Sequence, residues 1–188
     1  MATITNQAAL SYNGVTTLSN IAVGELVEVL TATKTAADTT YTAGGVKTFV
    51  ISLVNSSAAA LTGLTVTDTL GSYTFSGNTL YPLTYVTGSL LYYVNGALQA
   101  TPTVTATAPL TVTGVTVPAG GSAMLIYTAR VNEYAPLGVE DSITNTATIT
   151  GGGLTSSVTA TETINASPAP QLAISKSISP TMVAENGT

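Results

Sequence analysis

Three side chains in this sequence have types and settings that could do chemistry together: Asp68, Lys34 and Asn145. Asp68 lies in Leu61–Leu70, LTGLTVTDTL. Leu64, Val66, Asp68 and Leu70 alternate there with Thr65, Thr67 and Thr69, the period-two pattern of a half-buried β-strand. With the apolar face inward, the Asp68 carboxylate enters the core, where a charge is costly unless it is paired or neutralised. Lys34, early in the chain, and Asn145, late in it, are the best candidates for what it meets.

Other chemistries have less behind them. The chain has no Cys and no His, which excludes zinc and copper sites of the usual kind and Cys or His nucleophile–base pairs. A Ser nucleophile would lack a base, and no nucleophile-elbow pattern occurs. Glu140 with Asp141, or Glu25 with Glu28, could ligate calcium, but no loop carries the alternating oxygen ligands of a dedicated site, so they read as solvated loop acids. Tyr92, Tyr93 and Tyr127 could form a glycan-binding platform, although Tyr on strands more often fills a core edge or an interface.

The elements that must position these residues are strands. Ile4–Ser11 and Val15–Val23 read as a hairpin about Asn13-Gly14, the strongest short hairpin signal. After Gly24, Leu26–Lys34 reads as the next strand, Asp38–Gly45 as a loop, and Val46–Val54 as a central sandwich strand. Gly71–Leu80 reads as a loop, Thr84–Val86 and Leu90–Val94 as short strands, and Asn95-Gly96 as a second hairpin turn. Leu98–Thr105, Leu110–Val117, Ala123–Val131, Ile143–Thr150 and Thr155–Ile164 follow as strands, with a loop at Tyr134–Asp141. In Ala123–Val131, Leu125, Tyr127 and Ala129 share one face. Short strands with turn signals at regular spacing predict an all-β, immunoglobulin-like sandwich.

Composition narrows the function. Of the 188 residues 45% are hydrophobic and 7% charged, so the chain folds. The net charge is −5, with only Lys34, Lys47, Arg130 and Lys176 positive. No basic patch follows a phosphate backbone, so nucleic acid is not expected as a partner. No apolar run is long enough for a transmembrane helix. A neutral Thr/Ser/Asn surface suits side-by-side assembly. Met1–Leu10 lacks the regions of a signal peptide, which reads as a mature form or another export route.

The ends of the chain repeat its middle. Leu172–Ser177 repeats Leu30–Thr35, carrying Lys34 onto Lys176, 142 residues on. Ile4–Ala8 repeats Ile143–Ala147, carrying Asn6 onto Asn145, 139 residues on. Near-equal offsets mark a tandem array. The expected organisation is 1–29, an N-terminal hairpin equivalent to the last strands of a preceding repeat; 30–165, one complete repeat; and 166–188, a linker and the first strand of a following repeat. A lone hairpin and a lone strand are unstable and expose edges. Both are satisfied if the tail strand of one subunit (Leu172, Ile174, Lys176) pairs with the hairpin of the next (Ile4, Asn6, Ala8), a contact that does not close and so builds a filament. The plainer alternative is a chain cut inside a longer array, and the two are compatible.

Lys34, then Gly45–Asn55 (GVKTFVISLVN), Val66–Leu70 (VTDTL), Tyr85–Ser89 (YVTGS), Val117–Ser122 (VPAGGS) and Asn145–Thr148 (NTAT) follow an order that resembles the tandem "domain of unknown function 11" repeats of bacterial and archaeal surface proteins. The same set resembles the isopeptide-forming domains of Gram-positive fimbrial proteins. The resemblance covers about 30–165. It implies a surface or appendage building block with an immunoglobulin-like fold, without enzymatic activity or cofactors. It also implies a reaction: in the fimbrial relatives a Lys on the first strand and an Asn on a late strand condense to an amide beside an Asp or Glu. Carried over, these are Lys34, Asn145 and Asp68. Burial would lower the pKa of Lys34 and raise that of Asp68, which would donate to the Asn145 side-chain carbonyl and shuttle protons. The alternative is an ordinary Lys34–Asp68 ion pair with Asn145 bonding a turn. An intermolecular version through Asn6 and Lys176 lacks an obvious carboxylate in either fragment.

The expected function is a structural subunit of an extracellular filament, pilus-like appendage or surface layer, on a cell or spore surface, its partner another copy of itself. The second reading is an adhesin repeat that binds a glycan or host protein through Gly71–Leu80 and Tyr134–Asp141. A virion surface domain comes third.

Overall fold

The computed structural model describes residues 2–26, 28–167 and 175–177. Its strands, in chain order, begin with β1 (Ala2–Asn6), β2 (Ala9–Tyr12), β3 (Val15–Leu18) and β4 (Ala22–Leu26). β1 pairs with β4 and β2 with β3, so together they make one long antiparallel arm. Asn13 and Gly14, both at positive φ, make the two-residue turn expected at its tip.

The next strands are β5 (Leu30–Ala36), β6 (Thr40–Tyr41), β7 (Val46–Asn55), β8 (Leu61–Asp68), β9 (Tyr73–Phe75), β10 (Asn78–Leu80) and β11 (Leu83–Tyr85). The last are β12 (Leu91–Val94), β13 (Ala97–Gln99), β14 (Thr103–Thr107), β15 (Leu110–Val117), β16 (Ser122–Val131), β17 (Ser142–Gly151) and β18 (Val158–Ala166). One sheet runs β13-β12-β16-β7-β5, with β11 also on β16, and the other runs β14-β15-β8-β17-β18-β6. The two sheets form the expected all-β immunoglobulin-like sandwich. The chain changes sheet between β5 and β6, and β6 pairs parallel to β18.

Alternation builds the core between the sheets. Phe49, Ile51 and Leu53 face inward from β7, and Leu125, Tyr127 and Ala129 from β16. Leu64 and Val66 meet them from β8, Val112 and Val115 from β15, and Ile143, Ala147 and Ile149 from β17. Each fully buried large aliphatic side chain contributes about 1.5–3 kcal/mol relative to exposure. Among the described residues four polar ones share this interior: Lys34, Asn55, Asp68 and Asn145. Every buried side-chain nitrogen and oxygen among the described residues has a hydrogen-bond partner, which is what makes their burial tolerable.

Several boundaries differ from expectation. Leu26–Lys34 is not one strand: β4 ends at Leu26 and β5 starts at Leu30. Gly24 lies inside β4, opposite Ile4. The Gly71–Leu80 loop holds the small hairpin β9–β10, turned at Ser76-Gly77, both at positive φ. Asp38–Gly45 holds β6. Leu98–Thr105 divides between the sheets, β13 in one and β14 in the other, with Pro102 in the gap; Pro cannot donate to a ladder. The expected donor strand falls on Leu172 and Ile174, which lie outside the described residues, as does most of 166–188.

Candidate functional site

The two sheets close on one continuous hydrogen-bonded chain of buried side chains. Lys34 occupies an inward position of β5 and is 4% exposed. Its ammonium lies 2.5 Å from Asp68 Oδ2 and 5.3 Å from the centre of the Phe49 ring. Asp68, the last residue of β8, is 1% exposed. Its Oδ2 also accepts from the Tyr127 hydroxyl at 2.7 Å, and its Oδ1 accepts from Leu70 N at 3.0 Å. Tyr127 reaches inward from β16 and stacks on Phe49, with ring centroids 5.5 Å apart.

Asn145 completes the chain from β17. Its Nδ2 donates to Tyr127 Oη at 3.1 Å. Its Oδ1 accepts from Gly71 N at 3.2 Å and from Thr69 Oγ1 at 3.3 Å. A backbone N–H can only donate, so the Gly71 contact fixes which end of the amide is oxygen. The turn after β8 makes this possible. Leu70 and Gly71 both take positive φ. A Cβ at Gly71 would collide with the Ile143 side chain, so only glycine brings this N–H up to Asn145.

Burial sets the electrostatics. Loss of solvent pulls the Lys34 pKa from 10.5 down to about 8, against the opposing pull of Asp68 and, more weakly, Glu162. Glu162 is half-buried and stands opposite Asn145 in the β17–β18 ladder. The Tyr127 phenol is pushed well above 10 by burial and then by the Asp68 charge, so it stays neutral at every physiological pH. The cluster therefore holds an ammonium that gives up its proton near pH 8, a carboxylate, a neutral phenol and a carboxamide whose oxygen already receives two donors.

The three residues read from the sequence thus converge, but not through the contacts expected. Asp68 does not donate to the Asn145 carbonyl, because Gly71 N and Thr69 Oγ1 occupy that oxygen. Asp68 instead reaches Asn145 through Tyr127. Both halves of the plainer alternative are present as well: a Lys34–Asp68 ion pair and an asparagine that bonds a turn. Sequence reasoning missed the roles of Tyr127, Thr69, Gly71 and Glu162. The Tyr127 alternation was visible, and so was that of Val158-Ala160-Glu162-Ile164, which places an acid on an inward face.

The remaining candidates separate. Tyr92 and Tyr93 are neighbours on one strand and face opposite ways. Tyr92 is buried, with its hydroxyl donating to Thr116 O at 2.5 Å, and Tyr127 is interior, so the three form no platform. Asp141 accepts from Gly138 N at 2.6 Å and closes its own loop. Ile4, Asn6 and Ala8 are exposed on the arm, and Lys176 is exposed.

No protein-family model matches the chain, and no curated protein matches it. Solved structures do match its fold. The pilus backbone RrgB of Streptococcus pneumoniae aligns with a TM-score of 0.51 at 14% identity, over 64% of this chain and 31% of that one. A variant of BcpA, the major pilin subunit of Bacillus cereus, aligns with a TM-score of 0.51 at 16% identity, over 88% and 48%. The N-terminal domain of the Streptococcus gordonii adhesin Sgo0707 aligns with a TM-score of 0.51 at 13% identity, over 81% and 36%. The chain thus spans about a third to a half of the length of these structures and has the fold of Gram-positive pilin and adhesin domains.

Proposed function

We propose that this chain is a structural subunit of a cell-surface, pilus-like filament that assembles head to tail with copies of itself. The observation that carries the reading is the N-terminal arm. Leu10, Tyr12 and Val15 share one of its faces and are 74%, 77% and 67% exposed. Ile4, Leu18, Ile21 and Val23 are more than half exposed as well. A two-stranded ribbon without a packed face is marginal in water, and an exposed apolar patch of this kind marks an interaction surface. The occupant with the best claim is the 171–188 segment of the next subunit, whose opening repeats β5. The pilin fold of the sandwich agrees with this role; none of these likenesses points to a spore surface.

The second part of the proposal is a covalent staple between Lys34 and Asn145. It would join β5 of one sheet to β17 of the other. In a Cys-free chain it takes the part of a disulfide; closing a loop of roughly 100 residues is worth about 4–5 kcal/mol in the chain-entropy account.

Truncation after Pro170 tests the assembly. The sandwich keeps its own core, so the shortened protein should stay folded and monomeric, as read by circular dichroism and electron microscopy. Filaments from the truncated chain would overturn tail donation. An adhesin repeat, the second reading, is favoured by the Tyr73 hydroxyl bonding Tyr134 O at 2.8 Å, which joins its two loops; that reading expects ligand affinity to survive the same cut.

A further inference from the structure

We propose that Tyr127 is a catalytic proton relay for the condensation of Lys34 with Asn145, and that Gly71 N–H and the Thr69 hydroxyl hold the charge that develops on Asn145 Oδ1. This rests on the staple reading above and adds to it the groups that would make the reaction run. Asp68 alone cannot serve the leaving nitrogen, because Tyr127 stands between them, 2.7 Å from Asp68 Oδ2 and 3.1 Å from Asn145 Nδ2. Both spans are within hydrogen-bond reach, which is the first requirement of a general acid. The donors on Oδ1, at 3.2 and 3.3 Å, give it two hydrogen bonds against the single bond of Nδ2. Their grip strengthens as the oxygen takes up charge.

The steps balance. Lys34 Nζ passes one proton to Asp68 Oδ2. The freed electron pair of Nζ forms a bond to Asn145 Cγ, and the C=O electron pair moves onto Oδ1. In the planar amide Nδ2 has no available pair and donates to Tyr127. In the tetrahedral intermediate it regains a pair and becomes the acceptor, so the relay operates only once attack has occurred. Asp68 then returns its proton to Tyr127 Oη as the phenol's own proton passes to Nδ2. The Cγ–Nδ2 bond breaks, ammonia leaves with the bonding pair, and the C=O re-forms. The still doubly protonated Nζ gives its surplus proton to Asp68. The products are one amide, one ammonia and one proton, and no oxidant or cofactor enters.

The test follows the intact mass of freshly made full-length chain in denaturant, as a time course from cell-free synthesis, for the wild type, Tyr127→Phe and Thr69→Val. The wild type should become lighter by one ammonia. Tyr127→Phe keeps the ring against Phe49 and should slow that loss by on the order of 100-fold or more, the usual weight of a general acid. Thr69→Val should slow it by on the order of 100-fold, the weight of one oxyanion donor. Circular dichroism reports whether each variant folds. The wild-type pH profile needs no variant. The groups facing Lys34 are Asp68, the Phe49 ring and, at longer range, Glu162, with Tyr127 behind Asp68. The relay needs the one proton that Lys34 and Asp68 share, so the rate should fall as pH rises above about 8. A rate that climbs instead, or a folded Tyr127→Phe that matches the wild type, overturns the relay and leaves the staple standing. A wild-type mass that never changes overturns the staple and the relay together.

Discussion

Among the described residues two asparagines, Asn55 and Asn145, are completely buried, and they are buried for different reasons. Asn55 closes β7. Its Nδ2 donates to the carbonyls of Ala59, Val117 and Pro118, and its Oδ1 accepts from the backbone and hydroxyl of Ser57. Apart from that hydroxyl, every partner is backbone, and none is ionisable. Asn145 bonds one backbone N–H and then faces Thr69 and Tyr127, and through Tyr127 a charge pair. Asn55 therefore acts as a staple of loops, whereas Asn145 is an amide held inside an acid–base chain. Burial of a polar residue does not by itself mark chemistry; the identity of its partners does.

That contrast can be broken where it is strongest. Asp68→Ala, made in an Asn145→Ala background so that no crosslink contributes, leaves the Lys34 ammonium without its counter-ion. Chemical denaturation should show a loss of about 3–5 kcal/mol, the cost of orphaning one member of a buried pair. A loss no larger than for an exposed residue would mean that the cluster is wet and unlike the site described.

A pH series sharpens the comparison. Lys34 has a folded pKa of about 8, against 10.5 in the unfolded chain, and burial, Asp68 and Glu162 set it, so the single Asn145→Ala variant should keep the depression. The unfolded chain thus binds more protons between these values, and stability rises with pH across that window, by about 3 kcal/mol in all. Below about pH 8 the full burden of the buried ammonium is present. Lys34→Met in the same background should flatten the curve, and a curve already flat would contradict the depressed pKa.

The smallest effect belongs to Asn55. Asn55→Ala takes a donor from the carbonyls of Ala59, Val117 and Pro118, of which Ala59 keeps the Ser57 hydroxyl and Pro118 keeps Gly121 N, and takes the acceptor from Ser57 N; it should cost about 2 kcal/mol. Its intact mass should still show the loss of one ammonia. If Asn55→Ala stopped that loss, the two asparagines would be coupled and the distinction between them lost.

Much of the fold was legible because strands announce themselves by period. Leu64-Val66-Asp68 and Leu125-Tyr127-Ala129 place Asp68 and Tyr127 on inward faces, and Asn13-Gly14 and Asn95-Gly96 mark turns that only a few residue types can make. The convergence of Lys34 and Asn145 on Asp68 was readable from the burden of an inward charge and from the order of motifs. The mistaken boundaries fall where local pattern is ambiguous. Gly24 looks like a break but sits in a ladder whose partner, Ile4, is twenty residues away. Leu98–Thr105 looks continuous, but its two halves pair with different sheets.

The sequence alone determined the strand class, the main turns, the absence of thiol and imidazole chemistry, and the presence of a buried carboxylate that needs a partner. These follow from side-chain chemistry and from periods of two, which act over a few residues. Only the tertiary structure decided that Tyr127 stands between Asp68 and Asn145, that Gly71 and Thr69 face the amide oxygen, and that Asn55 has no part in the site. Those contacts join residues 18 to 76 positions apart, most of them more than 50. They depend on how two twisted sheets meet, a geometry that no local pattern encodes.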